Sequence, residues 1–264
     1  VSQRVYAGPR ADRGGPGGAA RALPWVAFAV LVALQVAYPL THGSARELVT
    51  VAAVVAGAAA ALSHAAVWRG LGWAAVFAVL TVGGGFAIEY VGVHTGHPFG
   101  AYHYTATLGQ RVAGVPWVVP LAWTMMAYPS LVAARTLCRS AWLTPPLAAL
   151  ALASWDLFLD PMMTGDHRWV FAHPTPALPA VPGTPLTNYA GWALAALALM
   201  VLVDRLPRHP APDAQPHAVY LWTYASSVLN AAVFAHRPYV AVYGGVAMGL
   251  VAVPLVVTLW WQRD

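Results

Sequence analysis

Lysine is absent from this chain, cysteine occurs once, at Cys138, and charged residues fill only 9% of its 264 positions. Each shortage excludes something. Without a lysine amine no retinal-type Schiff base can form, so a many-helix photoreceptor of that kind is ruled out. A single thiol excludes an internal disulfide and any cysteine-built metal centre. Cys138 reads as a small buried residue, because a reactive thiolate needs an activating site. The net charge of +5 is carried by arginines scattered singly between apolar runs. That is not the clustered basic face of a nucleic-acid binder. Soluble domains carry roughly 25% charge; a chain that is 59% hydrophobic with a mean hydropathy of +0.59 has too little polar surface for water.

What is present are long apolar runs. Stretches of about 18 or more apolar residues cross a bilayer core, and they are expected near 24–41, 48–67, 71–89, 117–134, 143–160, 186–204, 218–235 and 239–261. The fold class is therefore an all-α integral membrane protein, a bundle of about eight transmembrane helices. Pro145 and Pro146 suit the first turn of the fifth span, and Pro120 and Pro129 predict a kink in the fourth. Residues 1–22, rich in glycine and arginine, read as a disordered tail, and 23–264 as one polytopic domain. A cleaved signal peptide, the alternative for the tail, carries a shorter charged region.

Arginine counting orients the bundle. With a cytoplasmic N-terminus, Arg4, Arg10, Arg13, Arg21, Arg69, Arg135, Arg139, Arg205, Arg208 and Arg263 fall inside. Arg46, Arg111, Arg168 and Arg237 fall outside. The expected location is the cell membrane, with both termini cytoplasmic. The two longest loops, near 90–116 and 161–185, then share the outer side.

Those loops and the span ends hold the unusual residues. Glu89 closes the third span, and Asp156 and Asp160 end the fifth. An ionisable group inside a span is costly and is by default a functional candidate. Asp156 and Asp160 are four apart and stack on one helix face, near a C-terminus whose dipole disfavours negative charge. Such a pair suits a carboxyl that keeps its proton, as a general acid must. The structural alternative is a capped pair bonded to loop amides or to Arg168. Five histidines, His94, His97, His103, His167 and His173, sit in the same loops. They lack an H-E-x-x-H motif or an i,i+4 His pair, and no metal site is assigned. Among the many aromatics, some belong to an interfacial belt; others suit a wall for a long, flat, apolar substrate and can steady a cation through their π faces.

The order of these residues resembles a known family. The run from Glu89 to Tyr104 (EYVGVHTGHPFGAYHY) is followed by Gly114-Val115-Pro116, Pro120-Leu121-Ala122-Trp123 and Met125-Met126-Ala127-Tyr128-Pro129. Then come Trp155-Asp156-Leu157-Phe158-Leu159-Asp160-Pro161-Met162-Met163 and Pro185-Leu186-Thr187-Asn188-Tyr189-Ala190-Gly191-Trp192. From about 80 to 195 the chain resembles the CruF-type carotenoid hydratases, which include bisanhydrobacterioruberin hydratase and carotenoid 1′-hydroxylase. The resemblance implies addition of water across the terminal C=C of an acyclic carotenoid end group to give a tertiary alcohol, without a cofactor. On that reading Asp156 or Asp160 is the acid, and Glu89 orients the water and accepts its proton. Tyr90, His94, His97, Phe99, Tyr102, Tyr104, Trp123, Trp155, Asn188 and Trp192 are the candidate substrate contacts. The expected partners are a lipophilic carotenoid, membrane lipid and neighbouring enzymes of carotenoid synthesis, with no nucleic acid. The competing readings are a metal-dependent membrane oxygenase acting on carotenoid or lipid, and a proton-coupled transporter built on Gly83-Gly84-Gly85.

Overall fold

The structure, a computed structural model, describes residues 17–262. Apolar runs fold as α1 (Gly18–Ala37), α2 (Gly43–His64), α3 (Leu71–Ala78), α4 (Gly84–Thr95), α5 (Val119–Leu137), α6 (Thr144–Gly165), α7 (Leu186–Val203), α8 (Ala214–Leu229) and α9 (Pro238–Trp261). A π turn, Val79–Gly83, welds α3 and α4 into one rod. Two more π turns, Ala65–Arg69 and Asn230–Phe234, prolong α2 and α8. Eight rods result, and six are long and apolar enough to cross a membrane. The chain is an all-α, multi-pass membrane protein.

The two rods outside that set are α5 and α8, so the expectation of eight apolar spans holds for six. The reason is position. α5 packs against α2, α4, α6 and α8; it buries Trp123, Thr124, Tyr128 and Ser130 and has little surface left for lipid. α8 turns Gln215, His217 and Thr223 inward. Outer rods invert that pattern. On α9, Val242, Val246, Leu250, Val253 and Val257 are exposed at helical spacing, an apolar stripe facing outward as a lipid solvent requires. α9 is 24 residues long; at about 1.5 Å per residue it exceeds the roughly 30 Å hydrocarbon core.

Boundaries differ from expectation in several places; α6 runs on through Pro161 to Gly165, so Asp156 and Asp160 lie within it and do not end it. α1 begins at Gly18, inside the segment read as a tail; residues 1–16 lie outside the described residues. The third span runs on to Thr95, because no residue breaks it before Gly96, which adopts the left-handed conformation (φ 74°) and donates its N–H to Gly92. Tyr90 and His94 are therefore helical, and Glu89 lies within a rod instead of closing it.

The long loops meet at one end of the bundle. β1 (Tyr102–Tyr104) from the first pairs antiparallel with β4 (Trp169–Phe171) from the second, Tyr102 opposite Phe171 and Tyr104 opposite Trp169. β2 (Arg111–Val112) with β3 (Val115–Pro116), and β5 (Ala177–Leu178) with β6 (Val181–Pro185), make two further hairpins. Alternation along β1 and β4 turns Tyr102, Tyr104, Trp169 and Phe171 inward and His103 and Val170 outward, the period of two that a strand imposes. The loops are tied to the α1–α2 corner. Tyr38 donates to Asp166 at 3.0 Å, Glu47 accepts the Leu108 N–H at 2.9 Å, and Arg168 faces Glu47 at 3.8 Å.

Candidate active site

Glu89 is 4% exposed, Asp156 0% and Asp160 2%. No arginine or histidine among the described residues forms an ion pair with any of them. Arg168, the possible structural partner of the aspartates, is directed to Glu47.

Glu89 is built into α4 by its neighbours' smallness. A Cβ on Gly85 would stand 2.9 Å from the Trp123 ring, and one on Gly92 would meet Phe99 at 2.8 Å and the Tyr102 hydroxyl at 2.9 Å. These two glycines open the face on which Glu89 sits. Its Oε2 accepts the Tyr102 hydroxyl at 2.6 Å and the Tyr104 hydroxyl at 2.7 Å, and its Oε1 accepts the Trp123 indole N–H at 3.1 Å. Burial first, and then the charge of Glu89, push both loop phenols well above the ordinary tyrosine range. They remain O–H donors at any physiological pH. Three donors and no cation are the surroundings of a carboxylate that accepts hydrogen bonds.

Asp156 and Asp160 stand on one face of α6, as their spacing requires. Asn188, in the first turn of α7, clamps them together. Its Nδ2 donates to Asp156 Oδ2 at 3.1 Å and to Asp160 Oδ2. The second oxygen of Asp156, Oδ1, is buried with no partner. An orphaned buried acceptor costs about 1–3 kcal/mol, a cost that fold alone does not explain.

A cavity of about 80 Å³ lies between these groups. Asp160, Glu89 and Asn188 reach its surface; Asp156 does not and sits behind. The walls are Phe99, Tyr102, Tyr104, Trp123, Trp155 and Trp192, all proposed from the sequence as substrate contacts. Trp123 and Trp192 stack at 4.3 Å with rings 4° from parallel, a flat slab beside the carboxyls.

Three sequence candidates are not brought to this cavity. Tyr90 and His94 share the opposite face of α4, one turn apart, with rings 4.2 Å from each other, and both are exposed. A helical step of about 100° separates Tyr90 from Glu89, so neighbours in sequence diverge in space. His97 is exposed in the turn after α4 and bonds only locally, to Thr95. The other loop histidines, His103, His167 and His173, are exposed as well. Among the described residues no group of three His, Cys, Asp or Glu side chains is placed to hold a metal.

Sequence reasoning missed Trp169 and Phe171, which the β1–β4 ladder turns into the cavity, and Leu108, Thr50 and Val54, which complete its walls. The signal for the first two was present. Tyr102-x-Tyr104 and Trp169-x-Phe171 both alternate aromatics, and the period of two marks one face of a strand.

The chain matches the carotenoid biosynthesis protein family over residues 49–262, which include all of the carboxyls and the aromatic walls. It belongs to that family. No curated protein and no solved structure matches it. Membership of this family gives the protein a role in carotenoid biosynthesis, consistent with an enzyme. Its cavity suits an apolar molecule. An aromatic slot binds a hydrocarbon by burial, at roughly 25 cal/mol per Å². Its few polar groups converge from one side, as in pockets that orient a mostly apolar ligand.

Proposed function

We propose that the protein is a hydratase that adds water to the terminal trisubstituted C=C of an acyclic carotenoid end group. The observation that carries this reading is two carboxyls, Glu89 and Asp160, that line one aromatic cavity without a cationic partner, with Asp156 behind them, in a member of a carotenoid biosynthesis family.

Asp160 is the acid, because it is the member of the aspartate pair that borders the cavity. Its carboxyl proton adds to the less substituted alkene carbon, the π bond breaks, and a tertiary carbocation forms on the other carbon. The stacked Trp123 and Trp192 faces steady that cation; a buried aromatic contact of this kind is worth about 2 kcal/mol. A water held by Glu89 forms the C–O bond and gives its surplus proton to the Glu89 carboxylate. Return of that proton to Asp160 resets the site, and the net change is one water added. No electron is transferred and no oxidant is consumed. Asp156 is a positioning residue. Through Asn188 it keeps the Asp160 carboxyl aimed at the cavity.

All eight rods cross the membrane in this proposal, α5 and α8 shielded by the other six. Arg46, Arg111, Arg168 and Arg237 mark the loop end, and Arg21, Arg69, Arg135, Arg139, Arg205 and Arg208 the other, where α2, α5 and the α7–α8 connection meet. The positive-inside rule puts the second set in the cytoplasm and the cavity toward the outer side. Expression in lycopene-accumulating cells, with pigments weighed under air and without oxygen, tests the chemistry. The expected product is heavier by one water in both conditions. A product heavier by one oxygen atom and formed only in air would sink the hydratase and favour an oxygenase.

A further inference from the structure

The cavity beside the carboxyls is small. Pockets that enclose a drug-sized ligand run from roughly 300 Å³ upward, and about 80 Å³ takes an end group while a long chain must continue elsewhere. The loop end is roofed. β1 and β4 cover it with Tyr102, Tyr104, Trp169 and Phe171, and the Glu47–Leu108 and Tyr38–Asp166 bonds fasten those loops to the α1–α2 corner.

A second chamber of about 160 Å³ adjoins the first. Thr50, Val54, Trp155, Leu159 and Met163 line both, so these five side chains are the partition between them. The second chamber is bounded by transmembrane rods and the turn at Tyr38, with no residue from the β hairpins. Its rim carries Gln35 on α1 and Ser226, Ser227 and Asn230 on and after α8. Gln35, Ser226, Ser227 and Asn230 are themselves only half-buried, which opens the chamber to the outside of the rods, where a membrane protein meets lipid chains.

We infer that the second chamber is a lateral entrance through which the polyene passes from the bilayer, between α1 and α8, to present its end group to Asp160 and Glu89. The inference rests on the hydratase reading and extends it. The protein takes acyclic chains far longer than its reaction cavity, selects them by a ring-free end slim enough to pass Trp155, Leu159 and Met163, and leaves the remainder of the chain in lipid. A bulky cyclic end group is stopped at the partition. Ser227 touches the passing chain and takes no part in the chemistry.

The test compares a long and a short substrate with the same reacting group, in the full chain reconstituted in phosphatidylcholine vesicles. Lycopene is the long probe and 2,6-dimethyl-2-octene the short one. Ser227→Trp narrows the entrance. It is expected to slow lycopene hydration at least tenfold, because the long chain stays threaded through the entrance during the reaction. The short alkene, which clears it, is expected to slow by a much smaller factor, the remaining turnover also showing that the variant folds. An equal loss on both probes, or no loss on either, overturns the entrance; the first result would make the chamber a route for water. Should the wild type hydrate lycopene alone, labelling decides. In a Cys138→Ser background, Ser227→Cys reacts with N-ethylmaleimide, and lycopene is expected to slow that reaction about tenfold. Unchanged labelling during turnover overturns the entrance and spares the hydratase. A wild type that hydrates neither probe overturns both.

Discussion

At the end of the bundle away from the long loops, Arg69 meets Asp213 at 2.6 Å and Arg135 meets Asp204 at 2.8 Å. Arg69 also donates to the Tyr128 hydroxyl at 2.8 Å and to the His209 carbonyl at 2.6 Å, and the same hydroxyl bonds His64 at 2.7 Å. At the loop end Glu89, Asp156 and Asp160 are at least as buried and are held only by neutral donors, with one carboxyl oxygen left bare. One end pairs its carboxylates with arginine, and at the other these three carboxyls have no cationic partner among the described residues. Taking a charge out of water costs several kcal/mol unless a partner returns most of it. The paired end reads as a clasp that closes the α7–α8 connection over α2 and α5. The unpaired end reads as a place where a proton held by one carboxyl, and a cation that develops during a reaction, stand in for the missing partner.

Substitutions at the two ends should therefore separate activity from stability. The largest expected effect is Asp160→Asn, which removes the proton donor at the cavity; a positioned acid is worth about 10²–10⁴ in rate, and hydration should fall by about 10³ with the protein still folded. Glu89→Gln comes next, with a loss of about 10². Its amide oxygen can still accept the Tyr102 and Tyr104 hydroxyls, so thermal unfolding in detergent should move little while water addition slows. Asp156→Asn should cost about tenfold. A loss equal to that of Asp160→Asn would show that the proton comes from the pair as a unit. At the opposite end the readout changes. Arg69→Met strands Asp213, and should lower stability by about 2–3 kcal/mol with turnover per folded molecule unchanged. A loss of turnover there at full stability would erase the contrast between the ends. His94→Ala, on the outer face of α4, should alter neither quantity measurably; a large effect on hydration would return the loop histidines to the centre of the mechanism.

The parts of this arrangement that are legible in sequence are those written in local pattern. Apolar length marks the rods on the outside of the bundle, and the i,i+4 spacing puts Asp156 and Asp160 on one face. Arginine spacing sorts the two ends. What stays hidden depends on contacts far apart in the chain. Nothing near Glu89 announces that Tyr102 and Tyr104 return to donate to it, since that needs β1 to be held by β4, more than sixty residues on. Proximity in sequence also misleads. Tyr90 and His94 flank Glu89 and point away from it, while Thr50 and Val54, some forty residues earlier, line its cavity. The division of labour between Asp156 and Asp160 is equally invisible, because it turns on which of two stacked carboxyls meets open space and on the bridging amide of Asn188.

The axial placement of α5 bears on how the protein is made. A segment entering a bilayer on its own is admitted by its hydropathy, and each strongly polar group counts against it. α5 holds Thr124, Tyr128, Pro129, Ser130 and Arg135, and it is among the rods least suited to unaided entry. Its polar contacts lie on neighbours on both sides in chain order. Thr124 bonds Thr81 at 2.9 Å, on the rod made before it, and Arg135 bonds Asp204, at the end of a helix made after it. Biogenesis then cannot proceed one helix at a time. Entry of α5 requires that the rod containing Thr81 be retained close to the site of insertion, and the central helix becomes secure only when α7 arrives. The cavity wall at Trp123 and the order of synthesis are thereby linked: a substitution that loosens Thr81–Thr124 would show first as poor membrane yield, before any change in the molecules that mature.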